Sequence, residues 1–247
     1  MNVIGMRRAL CLAALSLLLS TVGLASAQAA GVRHGARAAS ARAHSSARSG
    51  RGAKKKKASG ERMVEGSLSY ELTPASSALP ATQAITLYLP GGVRVAGASM
   101  PKCEPTRLER EGPSVCPKRS RLGSGRATGW TLGQLWPLTL TLYNGPGGNL
   151  ISYVTASSPV RIETIVPGAV RNPGGSYGEE IVNTLPLGLL EPLPGDTAQT
   201  VNLNVHINGS SGWLRSTNCA PRALAVNFRF AFTNGQTLAV GGKLRCI

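Results

Sequence analysis

The chain has 247 residues, a formal net charge of +16 and an aromatic content of only 4%. This length allows one domain with a sizeable core, whereas 16 prolines and 30 glycines argue against long helices. The basic excess favours anionic partners, and its position along the chain decides which ones.

The first 27 residues have the three parts of a cleavable secretory signal peptide. Arg7 and Arg8 give a positive start, an apolar run extends from Ala9 to Leu24, and an Ala-Ser-Ala triplet precedes the expected cleavage before Gln28. Polar residues interrupt the apolar run, which favours cleavage over a membrane anchor. The sequence therefore predicts a secreted or extracellular protein that has no transmembrane anchor after signal cleavage.

Residues 28–62 form a basic tail rich in Ala, Ser, Gly, Arg and Lys. The tail has almost no large apolar side chain, so we expect it to be disordered. Ten Lys or Arg residues against Glu61 alone give it +9 of the net charge. The residues expected to bind polyanions are Arg48, Arg51, Lys54, Lys55, Lys56 and Lys57. Outside the cytoplasm, the expected partners are anionic cell-envelope polymers rather than nucleic acid, and a simple spacer is the alternative.

Residues 63–247 have the alternating pattern of one all-β domain, with turns rich in Gly, Pro and Asn between the strands. The predicted strands are 67–72, 84–89, 93–98, 138–143, 150–155, 160–166, 201–208, 224–233 and 238–244. One dry and one wet face on each strand predict an antiparallel β-sandwich, preceded by the disordered basic tail.

Between these strands, the sequence predicts one hairpin turn, one helical turn and two loops. Asn234-Gly235 is a strong hairpin signal, and residues 107–111 could form a single helical turn. The glycines of 120–126 predict a turn, and those of 174–178 predict a flexible loop that leaves Glu179 and Glu180 in solvent.

The cysteines predict two disulfides. Cys11 leaves with the signal peptide, so Cys103, Cys116, Cys219 and Cys246 remain in an oxidising compartment. Four cysteines allow three pairings, and closure between sequence neighbours favours Cys103–Cys116 and Cys219–Cys246. The spacing lacks the CxxC pairs of a zinc site, so no metal or cofactor is expected.

Residues Cys103 to Ala127, together with the end of the preceding strand at residues 89–93, resemble a known group of proteins. They resemble the core of secreted, β-rich proteins of unknown function from high-GC actinobacteria, in which a cysteine is followed by CPxxSxxGxG. That resemblance implies an extracellular β-rich domain, with a later cysteine pair closing a C-terminal hairpin. It implies no catalytic residue, and the basic tail is not part of it.

The sequence contains no catalytic constellation that demands an enzyme, because His206 is the one candidate base in the domain and lies among asparagines. A possible ligand face comprises Asn202, Asn204, His206 and Trp213; solvated sheet surface is the alternative, and the tryptophans could equally fill the core.

The leading hypothesis is a secreted, non-enzymatic envelope-associated or binding protein of unknown ligand. One alternative is a secreted polysaccharide hydrolase, which would need two convergent acids. The acids available to it are Glu163, Glu179, Glu180 and Asp196. A second alternative is extracellular binding of polyanions or nucleic acid through the tail.

Overall fold

The structure, a computed structural model, describes residues 60–71, 80–220 and 223–247. The predicted signal peptide and the predicted tail up to residue 59, with its six polyanion-binding residues, lie outside the described residues. Arg62, the last residue of the predicted tail, is the first residue of a strand, and Glu61 before it pairs with Arg94 at 2.6 Å.

Most of the described residues lie in β-strands. The strands are β1 (Arg62–Glu71), β2 (Thr82–Pro90), β3 (Val93–Val95), β4 (Arg121–Thr131), β5 (Gln134–Asn144), β6 (Leu150–Ala156), β7 (Ile162–Arg171), β8 (Tyr177–Thr184), β9 (Gln199–Ile207), β10 (Leu214–Ser216), β11 (Ala223–Phe232) and β12 (Thr237–Cys246). The α-helices are α1 (Pro105–Glu111) and α2 (Leu187–Leu190), and 3-10 turns occur at Gly97–Ser99, Pro113–Val115, Lys118–Ser120, Pro146–Gly148 and Gly209–Ser211. With seven and four residues, both helices are far shorter than the roughly 20 residues that cross a bilayer.

Ten strands close into an antiparallel β-barrel, so the predicted sandwich is wrong. The order around the ring is β12-β11-β2-β8-β7-β6-β5-β4-β9-β1, and β1 pairs with β12 to complete it. This closing seam joins residues 64–67 to 243–246. Strands of sandwiches and barrels alternate in the same way between a dry and a wet face, so the sequence pattern could not distinguish the two folds.

Two connections cross the barrel, one at each end. Strands β8 and β9 are five positions apart in the ten-membered ring, so they stand on opposite sides, and residues 185–198 between them cross one end. We call this end the lid end and residues 185–198 the lid segment. Strands β2 and β4 are also five positions apart, and residues 91–120 cross the other end, which we call the plug end.

Two regions expected to be loops are strands. Residues 121–126 belong to β4, where Gly123 and Gly125 face the neighbouring strand so closely that a Cβ on Gly125 would lie 2.6 Å from the Asn204 carbonyl oxygen. These glycines therefore allow close strand approach instead of marking a turn. Glu179 and Glu180 lie within β8, which pairs with both β2 and β7.

The two disulfides have the predicted pairing, Cys103–Cys116 and Cys219–Cys246. The first holds α1 against the outside of the barrel, where Leu108 packs with Tyr143, Ile151 and Tyr153 in a small second core. Cys219 lies in the loop before β11, so this bridge has the off-strand partner that its register requires. Two disulfides fit a protein outside the cytoplasm.

Candidate ligand-binding site

The inside of the barrel contains a cavity. The volume of this cavity is about 140 Å³. Its wall is built mainly from inward-facing Leu, Val and Ile side chains of β5, β6, β7, β8 and β9. Eight strands enclose an interior that side chains can fill, and barrel diameter grows with strand number. Ten strands with aliphatic side chains of this size therefore leave a void along part of the axis.

The plug end is closed by Trp213, whose side chain is fully buried. Its indole N–H is shared between Asn144 Oδ1 at 3.1 Å and the Gly148 carbonyl at 3.2 Å. The Asn144 amide in turn donates to the carbonyls of Gly97 and Pro101, each at 3.0 Å. This buried network joins three separate chain segments, and none of its five residues lines the cavity.

At the other end, the lid segment is joined to β2 by a hydrogen bond from the Leu185 N–H to the Gln83 carbonyl at 3.0 Å. Leu185 and Leu189 face the cavity, and Leu189 is buried. The segment is attached to the β4–β5 hairpin through Asp196, whose carboxylate accepts hydrogen bonds from the Thr131 hydroxyl and from the Leu132 N–H. A small helix on a few polar anchors is easier to displace than the buried plug, so the lid end is the route by which a molecule would reach the cavity.

Large exposed apolar side chains surround this route. Leu187 of α2 is 69% exposed and Leu135 of the β4–β5 hairpin is 55% exposed, with Leu132 and Leu193 also exposed nearby in the chain. Such a rim lowers the cost of passing an apolar molecule from solution into the barrel.

No charged side chain lines the cavity among the described residues. Its polar side chains are neutral and include Ser152, Asn183, Gln199 and Thr200. Tyr70, in the same hydrophobic core, is also uncharged. Burial raises the pKa of Tyr70 to about 12, and its ring stacks on Phe230 with centroids 4.2 Å apart. The described residues therefore give the cavity wall no formal charge.

Comparisons with protein-family models, curated proteins and solved structures found no match to this chain. The resemblance to secreted actinobacterial proteins consequently stays a prediction.

The structure divides the predicted ligand face. Asn202, Asn204 and His206 lie on the outward face of β9, where His206 Nδ1 is 2.9 Å from the Ser67 hydroxyl. Trp213 does not join them, because it forms the buried plug. Trp136 is also buried, and its indole N–H donates to the Val160 carbonyl at 3.0 Å, so both tryptophans fill the interior.

Three of the four candidate acids of the hydrolase hypothesis have separate hydrogen-bond partners. Glu163 accepts a hydrogen bond from the Tyr153 hydroxyl on the outside of the barrel, and burial together with this carboxylate raises the Tyr153 pKa to about 12. Glu179 accepts the Val95 N–H at 2.6 Å near the start of β8, and Asp196 holds the lid segment. Adjacent strand residues point to opposite faces, so Glu180 faces away from Glu179.

A metal site has no visible support either. Within residues 60–71, 80–220 and 223–247, no group of three His, Cys, Asp or Glu side chains could hold a metal ion.

Sequence reasoning missed the cavity and its polar residues. One signal was present for Ser152: it takes the inward phase of β6 between Leu150 and Val154, where the alternation predicts an apolar residue. The cavity itself has no local signal, because its size depends on how many strands close the ring.

Proposed function

We propose that this chain is an exported, non-enzymatic binding protein that carries a small apolar molecule inside its barrel. The observation that supports this most is the cavity of about 140 Å³ with its aliphatic wall and its thin lid. An apolar cavity of about 150 Å³ stays dry and accepts a molecule such as benzene. Each buried CH₂ group contributes about 0.8 kcal/mol, so a ligand with one ring or a short alkyl chain gains enough to bind measurably.

Filling the cavity should abolish binding. Ala127 faces inward from β4 and lines the cavity, so Ala127→Phe places a ring where the ligand would lie. For the wild-type chain we expect toluene to bind with a dissociation constant on the order of 0.1–1 mM, in line with the efficiency of very small ligands. Ala127→Phe should weaken binding at least tenfold, measured by calorimetric titration, while thermal stability is kept because the added ring occupies existing space.

Ala225→Phe is the matched control, because Ala225 lies on the exposed face of β11. This variant should bind toluene like the wild type. Absence of toluene binding to the wild-type chain, or equal binding by the Ala127→Phe variant, would contradict the proposal.

The basic tail supports a second element of the proposal, retention at an anionic cell envelope. Residues 28–62 carry +9 of the chain's charge, and such contacts weaken as salt shortens the Debye length to about 3 Å at 1 M. We expect the protein to fractionate with the envelope at low salt and to be released at 1 M salt. Replacing Lys54, Lys55, Lys56 and Lys57 by glutamine should lower the salt needed for release.

A variant that lacks residues 29–59 keeps Glu61 and the whole of β1, so the barrel remains intact in it. This variant should appear in the medium at every salt concentration. Envelope binding that survives 1 M salt, or that the deletion leaves unchanged, would refute electrostatic retention and leave ligand binding untouched.

A further inference from the structure

Two polar side chains interrupt the aliphatic wall of the cavity. Asn183 on β8 and Ser152 on β6 both line the cavity, and the strand between them contributes Val166. Asn183 pairs with Gly168 and Ser152 pairs with Val166, so the two polar side chains lie in neighbouring rows of the wall. Strands two apart in a sheet are about 10 Å from each other, a span that one small ligand can bridge.

The orientation of the Asn183 amide is fixed by its neighbours. Its NH₂ group donates to the carbonyls of Ile85 and Ile181, at 3.1 and 3.5 Å. Both partners accept hydrogen bonds only, so the NH₂ group must face them and Oδ1 points away from them, toward β7. A Cβ on Gly168 would lie 2.5 Å from this oxygen, so Oδ1 lies over the Gly168 backbone, and Asn183 lines the cavity from there.

Asn183 Oδ1 and Ser152 Oγ have no hydrogen-bond partner among the described residues, and neither is a fully enclosed atom, so both are open to a molecule in the cavity. A ligand group that donates to such an oxygen replaces the hydrogen bond that water would otherwise make there. An amide oxygen accepts hydrogen bonds, so the partner must be a donor.

An anionic ligand would find no positively charged partner in the cavity wall that the structure describes. No Lys, Arg or His side chain lines the cavity in the described parts of the chain. A carboxylate brought into this wall would lose its hydration without gaining a counter-ion, at a cost of several kcal/mol. It would also face the partial negative charge of Asn183 Oδ1.

We propose that the ligand is an uncharged molecule with an apolar body about the size of one ring and a hydroxyl or N–H group that donates to Asn183 Oδ1. This inference rests on the proposed function, since it names the class of molecule that the cavity holds. It predicts alcohols, phenols or amides rather than fatty acids.

Three ligands with the same ring separate these properties: toluene, benzyl alcohol and benzoate, titrated at pH 8 by calorimetry or by NMR shifts. The wild-type chain should bind toluene and benzyl alcohol, and benzoate should bind at least 100-fold more weakly than benzyl alcohol. Asn183→Val should weaken benzyl alcohol binding about five- to tenfold, the range of one hydrogen bond, and leave toluene binding unchanged or stronger. Asn204→Val, the same substitution on the exposed face of β9, is the matched control and should change neither affinity.

The outcomes distinguish the two proposals. If neither toluene nor benzyl alcohol binds, the proposed function fails, and the ligand class fails with it. If toluene binds but benzoate binds within threefold of benzyl alcohol, only the ligand class is refuted. Equal losses of toluene and benzyl alcohol binding in a folded Asn183→Val variant would also refute it.

Toluene binding by Asn183→Val shows directly that its barrel is folded. Should that variant lack a cooperative thermal transition, the benzoate comparison, which needs no variant, decides the ligand class.

Discussion

Replacing Asn144 by leucine should lower the free energy of unfolding by about 3–5 kcal/mol. The leucine cannot accept the indole N–H of Trp213, and it leaves the buried carbonyl of Gly97 and the partly buried carbonyl of Pro101 without their donor. Each buried group left unpaired costs about 1–3 kcal/mol, and Trp213 keeps only its longer contact to Gly148. Thermal and urea unfolding should show the loss, with a decrease of about 10 °C or more in Tm for a domain of this size.

Asn149→Leu is the matched control, because Asn149 is exposed in the same loop and its side chain accepts one hydrogen bond, from the Val170 N–H at 2.9 Å. We expect this control to lose at most about 1 kcal/mol. Similar losses for the two variants would mean that the buried network does not stabilise the plug.

Gly97→Ala tests the same plug by overpacking. A Cβ at this position would overlap Asn144 Oδ1, lie 2.6 Å from Trp213 Nε1 and lie 2.8 Å from the Gly148 carbonyl oxygen. The variant should therefore be destabilised by about 1–3 kcal/mol, although it removes no hydrogen-bonding group.

The second large effect should follow removal of the Cys219–Cys246 disulfide. This bridge closes a sequence separation of 27 residues, so a Cys219→Ser and Cys246→Ser double variant should lose about 3.5 kcal/mol on chain entropy. Cys246 is also the last residue of the closing seam, where it pairs with Val64. Hydrogen exchange of the amides in 64–67 and 243–246 should accelerate in the double variant, because the seam then opens without global unfolding.

The other disulfide provides the control. Cys103 and Cys116 are separated by 13 residues, so their removal should cost about 3 kcal/mol by the same relation. Their bridge holds α1 outside the barrel and does not touch the seam. Faster exchange should therefore appear around α1 and the Tyr143 side of β5, and equal acceleration at the seam in both double variants would contradict this account.

Local patterns predicted many of the individual strands. The alternation of Leu224, Val226, Phe228 and Phe230 with polar or small residues corresponds to the buried face of β11, and the turn at 234–235 joins it to β12 as predicted. Phe232 and Gln236 close this turn, where the Phe232 N–H donates to the Gln236 carbonyl at 2.9 Å. Strand faces could be predicted because the side-chain period of two is a property of the strand itself.

The turn predicted from the glycines of residues 120–126 was wrong. Gly123 and Gly125 predicted a turn, yet they lie in β4 and let β9 approach. Their role depends on a partner strand about 80 residues later in the chain, and no local pattern reports such a partner.

The sequence by itself determined the all-β class and the inward and outward residues of most predicted strands, because these follow from nearest-neighbour geometry, and short loop closure favoured the cysteine pairing that the structure has. Tertiary structure alone decided the closure of β1 on β12, and with it the change from a sandwich to a ring of ten strands. It also decided that Trp213 is a plug and that Asn183 and Ser152 share one wall. The cavity is the difference between the width of that ring and the volume of its side chains, so it exists only once the ring has closed.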